Sequence, residues 1–474
     1  MVRQLSLAAS LLLAALSPCD AQLLAYGFGR PATCAPSMLE QRNLDAVTRV
    51  CCAGQRCDGS GGLPRTCTDL CAASFMELYE ACGAELAGMP GFSEFAARCP
   101  AQGAGGGDDA AAPVPGSFQD RALAMVIGAF VADAAAMPFH WIYSASQIAR
   151  TVGRDSTPEF YASPQVQWYS YTTGELSPFG QQGMVYLRTL AASTHKDSVS
   201  FVDPVEIADA YYAYYGGTGP CASSRTCYHD ACTRGFVANM RAGRAWPSCG
   251  ANDDQDEAIT HLIPVVALLA GRPEMLERCA DAVRVIQNTD RAVAFGLAAA
   301  RLLEAILLGA SPPDAITATI AALRDPDRSV ASAYDADLAA GLERAKSMAD
   351  RGTDPASAAP VFGTACDYPS PLNLGAHMAA RLGAPGAARS AAAAAEPTVT
   401  EDAAAWMEAV RQNIYQGAPL CLRCDAIFLM KKDHLPSRQP RFKHKQMKLR
   451  ENLRVFSPSV SVCLPNRWGQ RWAW

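Results

Sequence analysis

Residues 127–144 read IGAFVADAAAMPFHWIYS, a run of small residues that ends in a proline and a polar, aromatic cluster. Gly128, Ala129, Ala132, Ala134, Ala135 and Ala136 place almost no side chain on a helix surface, so neighbouring helices can pack close against it. The pattern predicts a central helix over residues 118–137, with Ser117 as its N-cap and Asp120 opposing its dipole. Asp133 is the only charge in the run, and burying a lone carboxylate is costly unless it is paired or hydrogen-bonded. Something elsewhere in the chain must therefore hold Asp133. Pro138 lacks an N–H and biases Met137 away from helical geometry, so the helix ends there. Its exit presents Phe139, His140, Trp141 and Tyr143 as the wall of a candidate pocket.

Further along, residues 158–183 are rich in aromatics, serine, proline and glycine and read as a loop lining a cavity. Its Tyr161, Trp168, Tyr169 and Tyr171 either stack on a flat ligand or fill the loop's own small core. Residues 207–215 read as a helix, and 216–232 as an inserted loop whose Cys221, Cys227 and Cys232 are expected to form local disulfides. Asn252, Asp253 and Asp254 precede an apolar helix over 258–270, with a kink expected at Pro264. Two readings of these acids are open: they cap the helix and oppose its dipole, or Asn252 and Asp253 line the pocket. His261 lies one turn into the apolar stripe and reads as a core histidine rather than a metal ligand. Alanine and leucine recur at helical spacing over 275–287, 292–308, 313–323 and 335–348, and again over 403–416, with no strand-like alternation between them. The large domain is therefore expected to be all-α.

Four stretches after 127–144 carry a resemblance: PFGQQGMVYLRTL from Pro178, WPSCGANDDQDEAITHLIPVVALLAG from Trp246, VIQNTDRAVAFGLAAARLLEAILLGA from Val285 and AVRQNIYQGAPLCLRC from Ala409. With the opening helix they resemble the ADP-ribosylglycohydrolase superfamily, in particular its J-class crystallin and selenoprotein J branch, over roughly residues 118–430. The resemblance implies an all-α fold and a small-molecule or nucleotide-sugar ligand. It further implies that Gln181 and Gln182, Asn252 and Asp253 converge with His140 and Trp141 on one pocket. Hydrolytic members carry a glutamate after the opening helix, a Thr-Asp-Asp-Thr run and a late Asp-Thr-Asp-Thr run that together hold two magnesium ions. Here those positions read His140, then Gly180, Gln181, Gln182 and Gly183, then Pro419, Leu420, Cys421 and Leu422. Two dications held by neutral groups would repel each other uncompensated, so no metal centre is expected at those runs, magnesium being the alternative. The expectation is a binding or structural protein of the crystallin type. The alternative is a hydrolase of ADP-ribosyl or related glycosidic bonds, with Asp133, His140 and Asp253 as its catalytic candidates and Trp141, Gln181, Gln182 and Asn252 around the ligand.

Outside that region the composition changes. Residues 1–21 have a basic start at Arg3, an apolar core over 5–16 and small residues near Ala21, the pattern of a secretory signal peptide. No later stretch offers some twenty uninterrupted apolar residues, so no membrane span is expected. Cys34, Cys51, Cys52, Cys57, Cys67, Cys71, Cys82 and Cys99 mark residues 22–100 as a disulfide-stapled module, either a stabilising appendage or a recognition unit for a protein partner still to be identified. A helix is expected over 66–83. Residues 101–117, AQGAGGGDDAAAPVPGS, read as a flexible linker, and 384–397 as alanine-rich low complexity. The formal charge of −5 hides a basic tail, because residues 431–474 carry eleven Lys and Arg against two acids. Such a run is ordinarily solvated, and no nucleic-acid partner is expected. Cys421 and Cys424 form a Cys-x-x-Cys that follows a helix C-terminus, which does not lower a thiol pKa, so redox chemistry is not expected there.

So short a segment as 22–100 buries too little apolar surface to fold unaided. Reduction is expected to unfold it while the helical domain survives, read by circular dichroism and protease resistance of the excised segment. Retention of both in strong reductant would overturn the disulfide-dependent reading.

Overall fold

The structure is a computed structural model of the 474-residue chain. It describes residues 63–99 except 68, residues 118–382 except 155–156, 194–201, 224–226 and 329, and single positions at 34, 39, 44, 47–48, 51–52, 410–411 and 414. The expected leader, the linker, the alanine-rich stretch, the Cys421–Cys424 pair and the basic tail lie outside these residues. All described residues belong to the first of two units into which the chain divides, Met1–Leu435 and Pro436–Trp474.

The cysteine-rich module holds α1 (Asp69–Leu86) and α2 (Phe92–Ala96). Bridges join Cys34 to Cys82, Cys51 to Cys71 and Cys67 to Cys99. Cys71, Phe75, Leu78 and Cys82 form the buried stripe that their spacing predicts, and Phe75 meets Phe95 edge-on at 4.9 Å. The helix starts three residues later than expected, so Cys67 lies on the approach to α1 rather than on its face. Helical geometry breaks at Cys82, where φ is −121° and ψ 23°.

The large domain begins with α3 (Phe118–Ala136), which tightens into a 3₁₀ turn at Met137–Phe139, as Pro138 requires. There follow α4 (Ala145–Val152), α5 (Pro178–Ala192), α6 (Pro204–Tyr215), α7 (Ala231–Arg241), α8 (Glu257–Thr260), α9 (Leu262–Leu269), α10 (Met275–Ile286), α11 (Asp290–Leu307), α12 (Pro312–Arg324), α13 (Asp335–Asp350), α14 (Pro355–Phe362) and α15 (Ser370–Leu382). Among the described residues there is no strand, only isolated bridges between Ala251 and Gln287 and between Gln255 and Asp367. The fold is all-α, with the disulfide-rich segment ahead of it in sequence.

Helix α9, LIPVVALL, is apolar on every side and packs against α3, α5, α10 and α11. It shares the centre with α3, whose residues from Met125 onward are buried without interruption as far as His140. By length and composition the segment Arg121–Phe139 is apolar enough to cross a bilayer, but it is buried inside this helical array, as core helices are. The expected helix over 258–270 is divided at His261, three residues ahead of Pro264. The physical reason is that proline removes the N–H that would bond the carbonyl of Thr260, which frees the turn before it. Val410 and Ile414, one helical turn apart, pack with Ile127, Val131 and Ala135, and Arg411 donates to the buried Glu159 at 2.8 Å.

Two expectations are corrected. The loop expected over 158–183 ends at Ser177, because Ser177 caps α5, accepting from Gly180 N–H, and Pro178 occupies its first position, where the missing donor costs nothing. Cys232 is not part of a local disulfide: the bridge joins Cys221 to Cys227, and Cys232 is a buried thiol. Asp230 starts α7 by accepting from Thr233 N–H, which places Cys232 in the first turn, where its Sγ donates to the Ile286 carbonyl at 3.2 Å. Helices α2, α4, α5, α7, α14 and α15 have no counterpart among the helices expected from the sequence.

Helix α7 reaches the centre only because Gly235 lets it touch the chain at Ala251. A Cβ on Gly235 would lie 2.6 Å from the Ala251 Cβ. Gly235→Ala is therefore expected to destabilise the domain by about 1–3 kcal/mol through overpacking, read as a lower melting temperature. An unchanged melting temperature would show that α7 yields freely.

Candidate functional site

The buried Asp133 carboxylate sits over the start of α5. Ser177 N–H donates to its Oδ2 at 2.5 Å and Ser177 Oγ to its Oδ1 at 2.7 Å. A helix N-terminus offers free N–H groups and the positive end of the dipole, and an acid placed there is stabilised twice over. Gly180 is what allows the approach, since any Cβ at that position would overlap the carboxylate. The element that must hold Asp133 is thus the Ser177–Gly180 turn, 44 residues further on.

Beside it the exit of α3 builds an aromatic cluster. His140 is fully buried, with Nδ1 2.9 Å from Tyr169 Oη and its ring 4.3 Å from Trp141 and 5.5 Å from Phe179. Trp141 takes a left-handed conformation, φ 61°, which costs a residue with a Cβ about 1–2 kcal/mol. This turn sets its indole 4.8 Å from Tyr228 and 5.9 Å from Tyr169. The Tyr171 ring lies tilted 4.1 Å from that of Tyr169; its hydroxyl donates to Gln181 Oε1 and accepts from Tyr228 N–H, and burial pushes its phenol up to about 12. Of the loop aromatics, Tyr169 and Tyr171 join this cluster, Tyr161 packs on Phe139, and Trp168 is exposed.

One turn into α5 the surroundings become acidic. Gln182 is buried and donates from Nε2 to Asp230 Oδ2 and, at 3.1 Å, to Thr233 Oγ1. Asp253 accepts from Gln255 N–H at 2.9 Å and from Gln287 Nε2 at 3.2 Å. The same Gln287 Nε2 donates to Glu257 Oε2 at 3.0 Å. Asp230 and Glu257 are buried, and burial pushes both carboxyls up, Glu257 further because Asp230, Asp253 and Asp256 surround it. Burial is also the main cause that raises Asp253, ahead of the charges of Asp367 and Asp254. Asp254 faces away from this cluster, accepting from Thr289 at 2.8 Å and pairing with Arg291 at 3.2 Å. His261 is buried, stacked 4.6 Å from Tyr186, and burial lowers it to about 3, so the ring is a neutral core group.

Of the expected site residues, then, His140, Trp141 and Gln181 meet at the aromatic end, Asp133 lies at the cap of α5, and Gln182 and Asp253 belong to the acidic end. Asn252 is exposed. Both open readings of the 252–254 turn have content: Asp254 anchors it to the start of α11, while Asp253 turns toward buried acids. Asp230, Cys232, Glu257, Gln287 and Tyr228 escaped the sequence reading. The only signals were the Asp230 cap and the four acids of the DDQDE run, and acids at a helix start are ordinarily solvated.

The ADP-ribosylglycohydrolase family profile matches residues 115–419, more than half of the chain. The chain belongs to the ADP-ribosylglycohydrolase family. Crystallin J1A of Tripedalia cystophora is 29% identical over 208 residues, and crystallin J1B of the same animal 28% over 207. These alignments cover 42% and 41% of the chain, which spans 61% of the length of each crystallin. Among solved structures, an ADP-ribosylglycohydrolase-related protein complex aligns over 72% of this chain and 96% of that one, at 14% identity and a TM-score of 0.41.

The family's dinuclear magnesium centre does not fit the groups that stand at its first run. Gly180 carries no ligand, the Gln181 carbonyl is engaged by Tyr171, and Gln182, which donates its amide N–H to Asp230, has only a neutral Oε1 to offer, buried and without a hydrogen-bond partner. Pro419–Leu422 lies outside the described residues.

Removing the Asp133 carboxylate would strand the buried Ser177 donors. Asp133→Ala is expected to cost about 1–3 kcal/mol, measured by thermal unfolding, whether or not the protein is catalytic. A neutral effect would show that the start of α5 does not need the carboxylate.

Proposed function

We propose that this chain is an exported, non-hydrolytic member of the family, of the J-crystallin type, acting as a binding or structural protein. The observation that carries this reading is the chemistry of Gln181 and Gln182: neutral amides, carrying no charge to offset a dication, where hydrolytic members place metal-binding aspartates. His140, at the place of the family's glutamate, is a buried ring among aromatic neighbours and brings no carboxylate to the site. The aromatic end made by Trp141, Tyr169, Tyr171 and Tyr228 suits a planar ligand, but the adjoining carboxylates repel a diphosphate. Export is supported by the form of residues 1–21 and by three bridges within residues 34–99, which belong to an oxidising compartment.

The alternative, a hydrolase of ADP-ribosyl or related glycosidic bonds, draws on Asp253. Its raised carboxyl is the form that general acid catalysis needs.

Isothermal titration of ADP-ribose with and without magnesium separates the two. Binding weaker than about 100 μM, or roughly −5.5 kcal/mol, is expected in both conditions. Micromolar binding that requires magnesium would put the hydrolase reading first.

A further inference from the structure

We propose that Cys232, Asp253 and Glu257 form a binding site for one thiophilic divalent cation of the zinc class, distinct in its ligands from the family's magnesium runs. The Cys232 thiol and one oxygen of each carboxylate lie within 4.8 Å of one another. Tetrahedral zinc with one sulfur and two oxygen ligands sets donor atoms about 3.5 Å apart, so side-chain rotations drawing the three together by about 1 Å complete the geometry. They come from three separate places: the first turn of α7, the 252–254 turn and the start of α8. Gly235 against Ala251 and the backbone pairing of Ala251 with Ile286 and Asn288 hold these places together.

Two independent observations point to a ligand there. The first is unmet hydrogen-bonding capacity: Glu257 Oε1 is buried and has no hydrogen-bond partner, while the Gln287 amide sits directly on Asp253 and Glu257 through its Nε2. The second is uncompensated charge. Asp230 and Glu257 are fully enclosed, Asp253 is half-buried, and no lysine or arginine pairs with any of the three among the described residues. Buried carboxylates without a counter-charge must be protonated or hold a cation, and a dication would offset two of the negative charges, with Asp230 outside its ligand set. The thiol selects the class of ion: magnesium and calcium take oxygen ligands, whereas zinc and its neighbours accept a thiolate beside carboxylates. On binding, Cys232 releases its proton to solvent and exchanges its hydrogen bond to the Ile286 carbonyl for the metal. Gln287 then holds both carboxylates in place from outside the coordination shell.

Purified full-length protein, stripped with chelator and titrated with cobalt(II), tests this. One equivalent is expected to bind with a thiolate-to-cobalt charge-transfer band that zinc displaces, and zinc is expected to raise the melting temperature. Cys232→Ser should remove the band. The near-isosteric Glu257→Gln should weaken zinc binding, and Gln287→Leu should weaken it about tenfold or more. The double variant Cys421→Ser/Cys424→Ser must keep the band. No band in the folded stripped protein, or a band that survives in Cys232→Ser, would overturn the proposal. Its failure is separate from that of the non-hydrolytic reading, which turns on magnesium-dependent ADP-ribose binding and not on cobalt.

Discussion

The contact between Asp133 and the Ser177–Gly180 turn is the constraint from which the rest of the domain takes its arrangement. A carboxylate inside a small-residue helix is tolerable only where donors meet it, and the N-terminus of α5 supplies both donors and dipole. This fixes α3 and α5 against each other with their ends in register. The exit of α3, bearing His140 and Trp141, must then lie beside Phe179 and Gln181, and Gln182 must face α7. Gly180 is part of the same device, since the carboxylate occupies the space of its missing side chain.

The site that follows has two ends of opposite character. Toward the exit of α3 lie tilted and edge-on rings, with the Tyr169 hydroxyl against His140 and the Tyr171 hydroxyl against Gln181 and the Tyr228 N–H. Toward α7 and α8 lie acids, Asp253 and Glu257 bridged by the Gln287 amide and Asp230 held by Gln182. Burial, and after it the charges of the neighbouring acids, pushes the Glu257 carboxyl up; Gln287 donates to both Asp253 and Glu257, and Gln182 donates to Asp230. Family membership sets the scaffold of this arrangement, but the chemistry belongs to the particular side chains, and here those at the family's first metal run are neutral.

The sequence by itself determined the helical class, the approximate limits of α3, α6 and α10 to α13, the buried role of Asp133, the exit at Pro138 and the cysteine-rich module. These are short-range properties: helical periodicity, a missing N–H at proline and the cost of a lone charge act within a few residues and are written locally. It did not determine which of Cys221, Cys227 and Cys232 pair, that Asn252 is exposed while Asp253 turns inward, or that Asp230 and Glu257 are enclosed together. Only the tertiary structure decided these, because burial and carboxylate pKa depend on which distant segments close over a group. The Gly235–Ala251 and Ala251–Ile286 contacts do that closing, and they join residues whose separation in the chain leaves no periodic trace.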